Sequence, residues 1–120
     1  MRTEEHNIQA RCVTWFRALF PNMKRIFLSF PNAGKRSAKT ANYLKAEGMV
    51  AGAPDLILLK ASKGFSSLAI EMKTIVGKQS EEQKAWQKEF EENGGKYVVC
   101  RSFADFQDVI MNYLYLIKKA

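Results

Sequence analysis

Gly52-Ala53-Pro54-Asp55-Leu56-Ile57-Leu58-Leu59, followed closely by Leu68-Ala69-Ile70-Glu71-Met72-Lys73, decides how this chain is read. Both stretches are short apolar runs bounded by turn residues, the pattern of buried strands, predicted over residues 54–60 and 67–73. Each also carries charge at one end. Two carboxylates and an ammonium taken out of water cost several kcal/mol unless something compensates them. The segment Ala61-Ser62-Lys63-Gly64 between the runs has the small and polar residues of a hairpin turn. A hairpin folded about Ser62 and Lys63 sets Asp55 beside Glu71, where two like charges repel unless a cation lies between them. Side-chain alternation puts Glu71 and Lys73 on one face with Ala69, and Leu68, Ile70 and Met72 on the other. Carboxylate oxygens, without a Cys or His pair, suit Mg²⁺ or Mn²⁺ better than zinc. For an arbitrary strand end, neutralisation of a carboxylate by Lys73 is the commoner arrangement.

Outward from the hairpin, the periodicity predicts a helix over residues 4–20, capped at Thr3, with Ile8, Cys12, Trp15, Phe16 and Leu19 on its apolar face and Pro21-Asn22 ending it. A strand over 25–30, a Pro31-Asn32-Ala33-Gly34 loop and a basic helix over 37–47 come next. Beyond the hairpin, Ser80-Glu81-Glu82-Gln83 is a capping box opening a helix that Gly94-Gly95 stops. Residues 96–100 read as a buried strand, and Ser102 caps a last helix. The order is α-β-α-β-β-α-β-α. The helix between the last strands implies a crossover to a parallel neighbour, so the class is α/β, a mixed sheet flanked by helices.

The chain has 120 residues, 47% of them apolar and 26% charged, with no repeat or low-complexity tract, and is expected to form one domain over residues 1–120. No apolar run approaches the ~20 residues of a membrane span, and the first residues lack the apolar core of a signal peptide. A cytoplasmic location is expected, in a bacterial or phage-host cytosol. Cys12 and Cys100 occupy core positions and read as reduced thiols. The net charge of +7 is uneven: no Asp or Glu falls between Glu5 and Glu47, whereas Arg11, Arg17, Lys24, Arg25, Lys35, Arg36, Lys39 and Lys45 do. A polyanion is the natural partner, a solvated basic face the bland alternative. Candidate nucleic-acid contacts are Asn32, Lys35, Arg36, Lys39 and Lys78. For Lys78, as for Arg101, a solvated charge is the commoner role. Trp15 and Trp86 fit core positions.

The Pro54-Asp55 pair followed by Glu71-Met72-Lys73 resembles the signature of the PD-(D/E)XK nucleases. With Glu5-His6-Asn7-Ile8-Gln9, Pro31-Asn32 with Gly34 and Arg36, and Ser80-Glu81-Glu82-Gln83 with Trp86, the chain is similar to the VRR-NUC family in its compact stand-alone form, over roughly residues 4–110. The resemblance implies a restriction-endonuclease-like fold. It implies that Asp55 and Glu71 bind the metal, that the carbonyl of Met72 completes the shell, and that Lys73 orients the attacking water. Glu5 would be a further metal or outer ligand, or simply an acid favoured by the helix dipole. Gln83 would reach the site or only close its capping box, and Gln9 is a weaker candidate. The implied activity is Mg²⁺-dependent, structure-selective cleavage of DNA, in the manner of a Holliday junction resolvase acting as a homodimer. The apolar end over residues 111–116 could supply the dimer contact, with packing on its own sheet the simpler role. Alternatives are a restriction-like or flap nuclease, and a non-catalytic nucleic-acid-binding module.

Overall fold

A computed structural model of the chain describes residues 3–30 and 37–115. Helix α1 (Thr3–Leu19) leads through a 3-10 helix (Pro21–Ile26) to strand β1 (Phe27–Ser29). Helix α2 (Ala38–Ala46), strands β2 (Leu56–Leu58) and β3 (Leu68–Met72), helix α3 (Glu81–Glu92), strand β4 (Lys96–Cys100) and helix α4 (Phe103–Leu114) follow. The order is the expected one apart from the 3-10 turn. It occupies Pro21-Asn22-Met23-Lys24-Arg25-Ile26, with proline in its first turn, and shortens the predicted first strand to three residues. Thr3, expected as the cap of α1, is already helical.

The sheet runs β1-β2-β3-β4, antiparallel across the first two pairings and parallel between β3 and β4. The parallel pair is joined through α3, the crossover that a parallel connection requires. All five residues of β3 are buried, as befits an inner strand covered on both faces. One face carries the main core, in which Cys12 and Phe16 of α1 and Phe106, Ile110 and Tyr113 of α4 meet Leu56, Leu58, Leu68, Ile70 and Met72. The opposite face is smaller: Ile57, Ala69 and Tyr97 lie under Trp86 and Phe90 of α3. Side chains at even-numbered positions of β3 thus face the main core, and Ala69 faces α3.

Ser37, Ser80 and Ser102 each accept a backbone N–H in the first turn of the helix they cap, satisfying donors that helix geometry leaves free. Helices α2 and α3 bury no residue fully, although Trp86 and Phe90 of α3 are half-buried against the sheet. Cys12 and Cys100 are free thiols, and burial raises both to about 12, so both remain protonated core groups at neutral pH. Trp15 meets Phe20, Phe103 and Phe106 edge-on, and Trp86 stacks on Phe90, placing both indoles in packing roles. Met111 and Leu114 pack on the core, and the hydroxyl of buried Tyr113 donates to the Lys60 carbonyl at 2.5 Å. The end of α4 therefore packs on its own sheet, leaving Tyr115 half exposed. No helix among the described residues is long and apolar enough to cross a membrane.

Candidate functional site

The register Leu56↔Ile70 and Leu58↔Leu68 places Asp55, one residue before β2, across from Glu71. Buried Pro54 fixes the entry to the strand. The Asp55 carboxylate extends the ladder by one rung: its Oδ2 accepts the Met72 backbone N–H at 2.7 Å, a short charge-assisted bond. The two carboxylates thus meet where β2 and β3 diverge, as the hairpin geometry predicts.

Glu71 is 3% exposed. Its Oε2 accepts the side-chain amide of Gln83 at 2.8 Å and its Oε1 accepts the Tyr97 hydroxyl at 3.2 Å. The Lys73 ammonium stands 3.9 Å from Oε2. Burial, reinforced by the negative charge of Asp55, pushes the Glu71 carboxyl up to about 8, while Lys73 and the Tyr97 hydrogen bond pull it back only in part. The Tyr97 phenol is itself raised by burial and by the adjacent Glu71. One lysine therefore does not balance this carboxylate pair. A divalent cation would, and hard oxygen donors are the right ligands for Mg²⁺ or Mn²⁺. The carboxylates of Asp55 and Glu71, brought side by side, supply such oxygens.

Gln83 closes the capping box and also reaches the Glu71 carboxylate. Its Oε1 accepts Ser80 N–H at 2.8 Å while its amide holds Glu71. A close backbone contact sets this geometry. Gly52 adopts φ +86°, and a Cβ there would stand 2.3 Å from the Glu82 carbonyl oxygen. The loop leading to Asp55 thus rests directly on the first turn of α3, which carries Gln83.

Lys73 continues beyond β3, its N–H donating to the Cys100 carbonyl at 2.9 Å. The loop that follows is held by Arg101, whose guanidinium donates to the carbonyls of Thr74 at 2.7 Å, Gly77 at 2.6 Å and Ile75 at 3.3 Å. Arg101 is thus half-buried and bound to the main chain, where its sequence context suggests a solvated charge. It saturates a turn, because an arginine fork offers five donors to a run of carbonyls.

Glu5 and Gln9 line a cleft of about 450 Å³ between α1 and the β1–β2 edge, with Asp55 in its wall. Glu5 makes further contacts of its own. Among the described residues no group of three His, Cys, Asp or Glu side chains is arranged to hold a metal ion; Glu5 therefore shares the cleft with Asp55 without completing a three-carboxylate cage. Lys39 on α2 and Lys78 before α3 are both exposed. Asn32, Lys35 and Arg36 lie outside the described residues. Tyr97 and the Gly52 contact were not anticipated. The one sequence signal for Tyr97 is a polar-tipped aromatic in an otherwise apolar strand.

A family model for the VRR-NUC domain matches residues 1–104. A solved structure described as a VRR_NUC domain protein superposes with a TM-score of 0.77 at 22% identity, covering 92% of this chain and 87% of that one; at that identity the likeness speaks for the fold. No curated protein sequence matches. With the family model covering most of its length and the carboxylates and lysine gathered at the end of one hairpin, the chain belongs to the VRR-NUC domain family, a nuclease family of PD-(D/E)XK type.

Proposed function

We propose that the protein is a Mg²⁺- or Mn²⁺-dependent, structure-selective DNA endonuclease that hydrolyses phosphodiester bonds at branch points, in the manner of a Holliday junction resolvase. The observation that carries this reading is the apposition of Asp55 and Glu71, with Lys73 3.9 Å from Glu71, in a chain of a nuclease family. In this reading residues 1–120 act as one domain in the cytosol, and two copies related by a two-fold axis make paired cuts in a four-way junction.

Asp55, Glu71 and the Met72 carbonyl are the groups that would hold the cation. When bound, it supplies Lewis-acid polarisation of a phosphoryl oxygen and lowers the pKa of a coordinated water. The chain's own residues do the rest. Gln83 and Tyr97 fix the Glu71 carboxylate from two sides, so it need not reorganise as the reaction proceeds. The Met72 N–H fixes Asp55. Lys73, charged and only slightly exposed, orients the attacking water and offsets negative charge growing on the phosphate. The leaving 3′ oxygen departs in line, giving 5′-phosphate and 3′-hydroxyl ends. Glu5 acts from the cleft wall as an outer group. Lys39 and Lys78, with Asn32, Lys35 and Arg36, contact DNA phosphates away from the cut.

Cleavage of a synthetic four-way junction, a flapped duplex and a linear duplex in Mg²⁺ tests the reading. Preferential cutting of the junction is expected. Asp55→Ala should lose at least about 10³-fold in rate while binding DNA in EDTA as well as the parent. An Asp55→Ala variant that cuts like the parent overturns the assignment.

A further inference from the structure

Resting on the nuclease reading, we infer that the cleft between α1 and β1 receives a single DNA strand that has left its duplex at the branch point, with Arg17 holding a phosphate and Phe30 stacking on a base. The cleft has two chemically different ends. Phe16 of α1 packs on Phe27 of β1 with ring centroids 4.1 Å apart, and Phe30 N–H donates to the Asp55 carbonyl at 3.1 Å. Cys12, one turn earlier in α1, lies close enough to Cys100 for the two thiols to interact, and Cys100 pairs with Met72, which binds Asp55; the α1 residues N-terminal to Phe16 therefore run toward Asp55, and Arg17 marks the far end. Glu5 and Asp55 make one end acidic, Arg17 makes the other cationic, and apolar Val13 lies between them.

Glu5 and Arg17 are separated by about 18 Å along the helix at 1.5 Å per residue, a span of two or three extended nucleotides. Arg17 is exposed and pairs with no acid among the described residues. Phe30 is 39% exposed in the same cleft. A cation on the path of the backbone and an aromatic face elsewhere along the same groove are the combination by which single strands are held without sequence preference. A cleft of about 450 Å³ suits one strand rather than two paired ones. The acidic end is where a cation would screen the scissile phosphate, and Arg17 holds the strand that leads away from it.

Fluorescence anisotropy in EDTA separates this inference from the nuclease reading, since it needs no cleavage. Wild type should bind a duplex bearing a short unpaired arm more tightly than the blunt duplex. Arg17→Ala should weaken binding of the armed duplex about 5- to 10-fold and reduce its log–log salt slope by roughly 0.7, the value for one phosphate on a single strand. Phe30→Leu should weaken it about as much without changing the slope, and both should leave the blunt duplex unchanged. Lys88→Ala, which removes an equal charge from exposed α3, is the control for net charge. Equal loss in Lys88→Ala and Arg17→Ala, or equal loss on blunt and armed duplex, overturns the inference and leaves the nuclease reading standing. Failure of the wild type to bind or cut any DNA would overturn both.

Discussion

The Gln83 amide donates to Glu71 Oε2 at 2.8 Å while the carbonyl of the same side chain accepts Ser80 N–H at 2.8 Å, so a helix cap and a candidate metal ligand form one hydrogen-bonded unit. Gln83→Ala should cost more than a cap alone, about 1 kcal/mol for the box and ~1.5–3 for the bond to a buried charged group. Ser80→Ala should lose only the first part. Chemical denaturation of both variants reads the difference, and Mg²⁺ affinity should fall in Gln83→Ala alone.

Glu71 sets the pH response of the metal-free protein. Its carboxyl is raised from 4.5 to about 8 in the folded state, so folding favours the protonated form. Its contribution to stability is fully present below about pH 4.5 and is lost as pH rises through 8. In EDTA the melting temperature should therefore fall between pH 5 and pH 8, and Glu71→Gln should flatten that fall. Because a metal ion competes with the proton, added Mg²⁺ should raise Tm more at pH 8 than at pH 5. An unchanged pH slope in Glu71→Gln contradicts this account.

Gly52 and Gly64 share φ +86°, but a Cβ meets the Glu82 carbonyl at Gly52 and open space at Gly64. Both alanine variants incur the backbone strain of about 1 kcal/mol. Only Gly52→Ala must also push the loop off α3. It should be destabilised by ~1–3 kcal/mol more than Gly64→Ala and lose cleavage in Mg²⁺, because displacing the loop moves Asp55 relative to Gln83 and Glu71. Paired urea titrations and rate measurements decide it.

Arg101 binds three carbonyls of the turn after Lys73. Arg101→Ala should leave those acceptors to water, lower stability by ~1–3 kcal/mol, and speed amide exchange in residues 74–77. The cleavage rate should fall with it as Lys73 loses its support, while Arg101→Lys should recover only part, having a point charge in place of a fork.

The elements most legible in the sequence are those specified by local chemistry. The Ser80 box, the Ser102 cap and the alternation that sends Leu68, Ile70 and Met72 to one face all stand where spacing puts them. The hairpin register was legible too, because a short turn leaves few pairings that bring Asp55 opposite Glu71. What stayed hidden was tertiary. Nothing in residues 96–100 says that Tyr97 reaches Glu71, since that depends on β4 lying parallel beside β3. Arg101 looked like surface charge because its partners are main-chain carbonyls more than twenty residues away. The 3-10 turn over Pro21–Ile26 replaced the start of a predicted strand because weak alternation there could not compete with a proline-initiated turn.

The bond from Met72 to Asp55 joins positions only 17 apart in the chain, whereas the cleft wall comes from a helix, Thr3–Leu19, that lies at least twice as far upstream of Asp55. Closing a short loop is cheap and fast, so the ion-binding pair should assemble early and survive fraying of α1, while the groove for the substrate forms late and comes apart first. Under mild denaturant, divalent-ion affinity should consequently outlast DNA affinity.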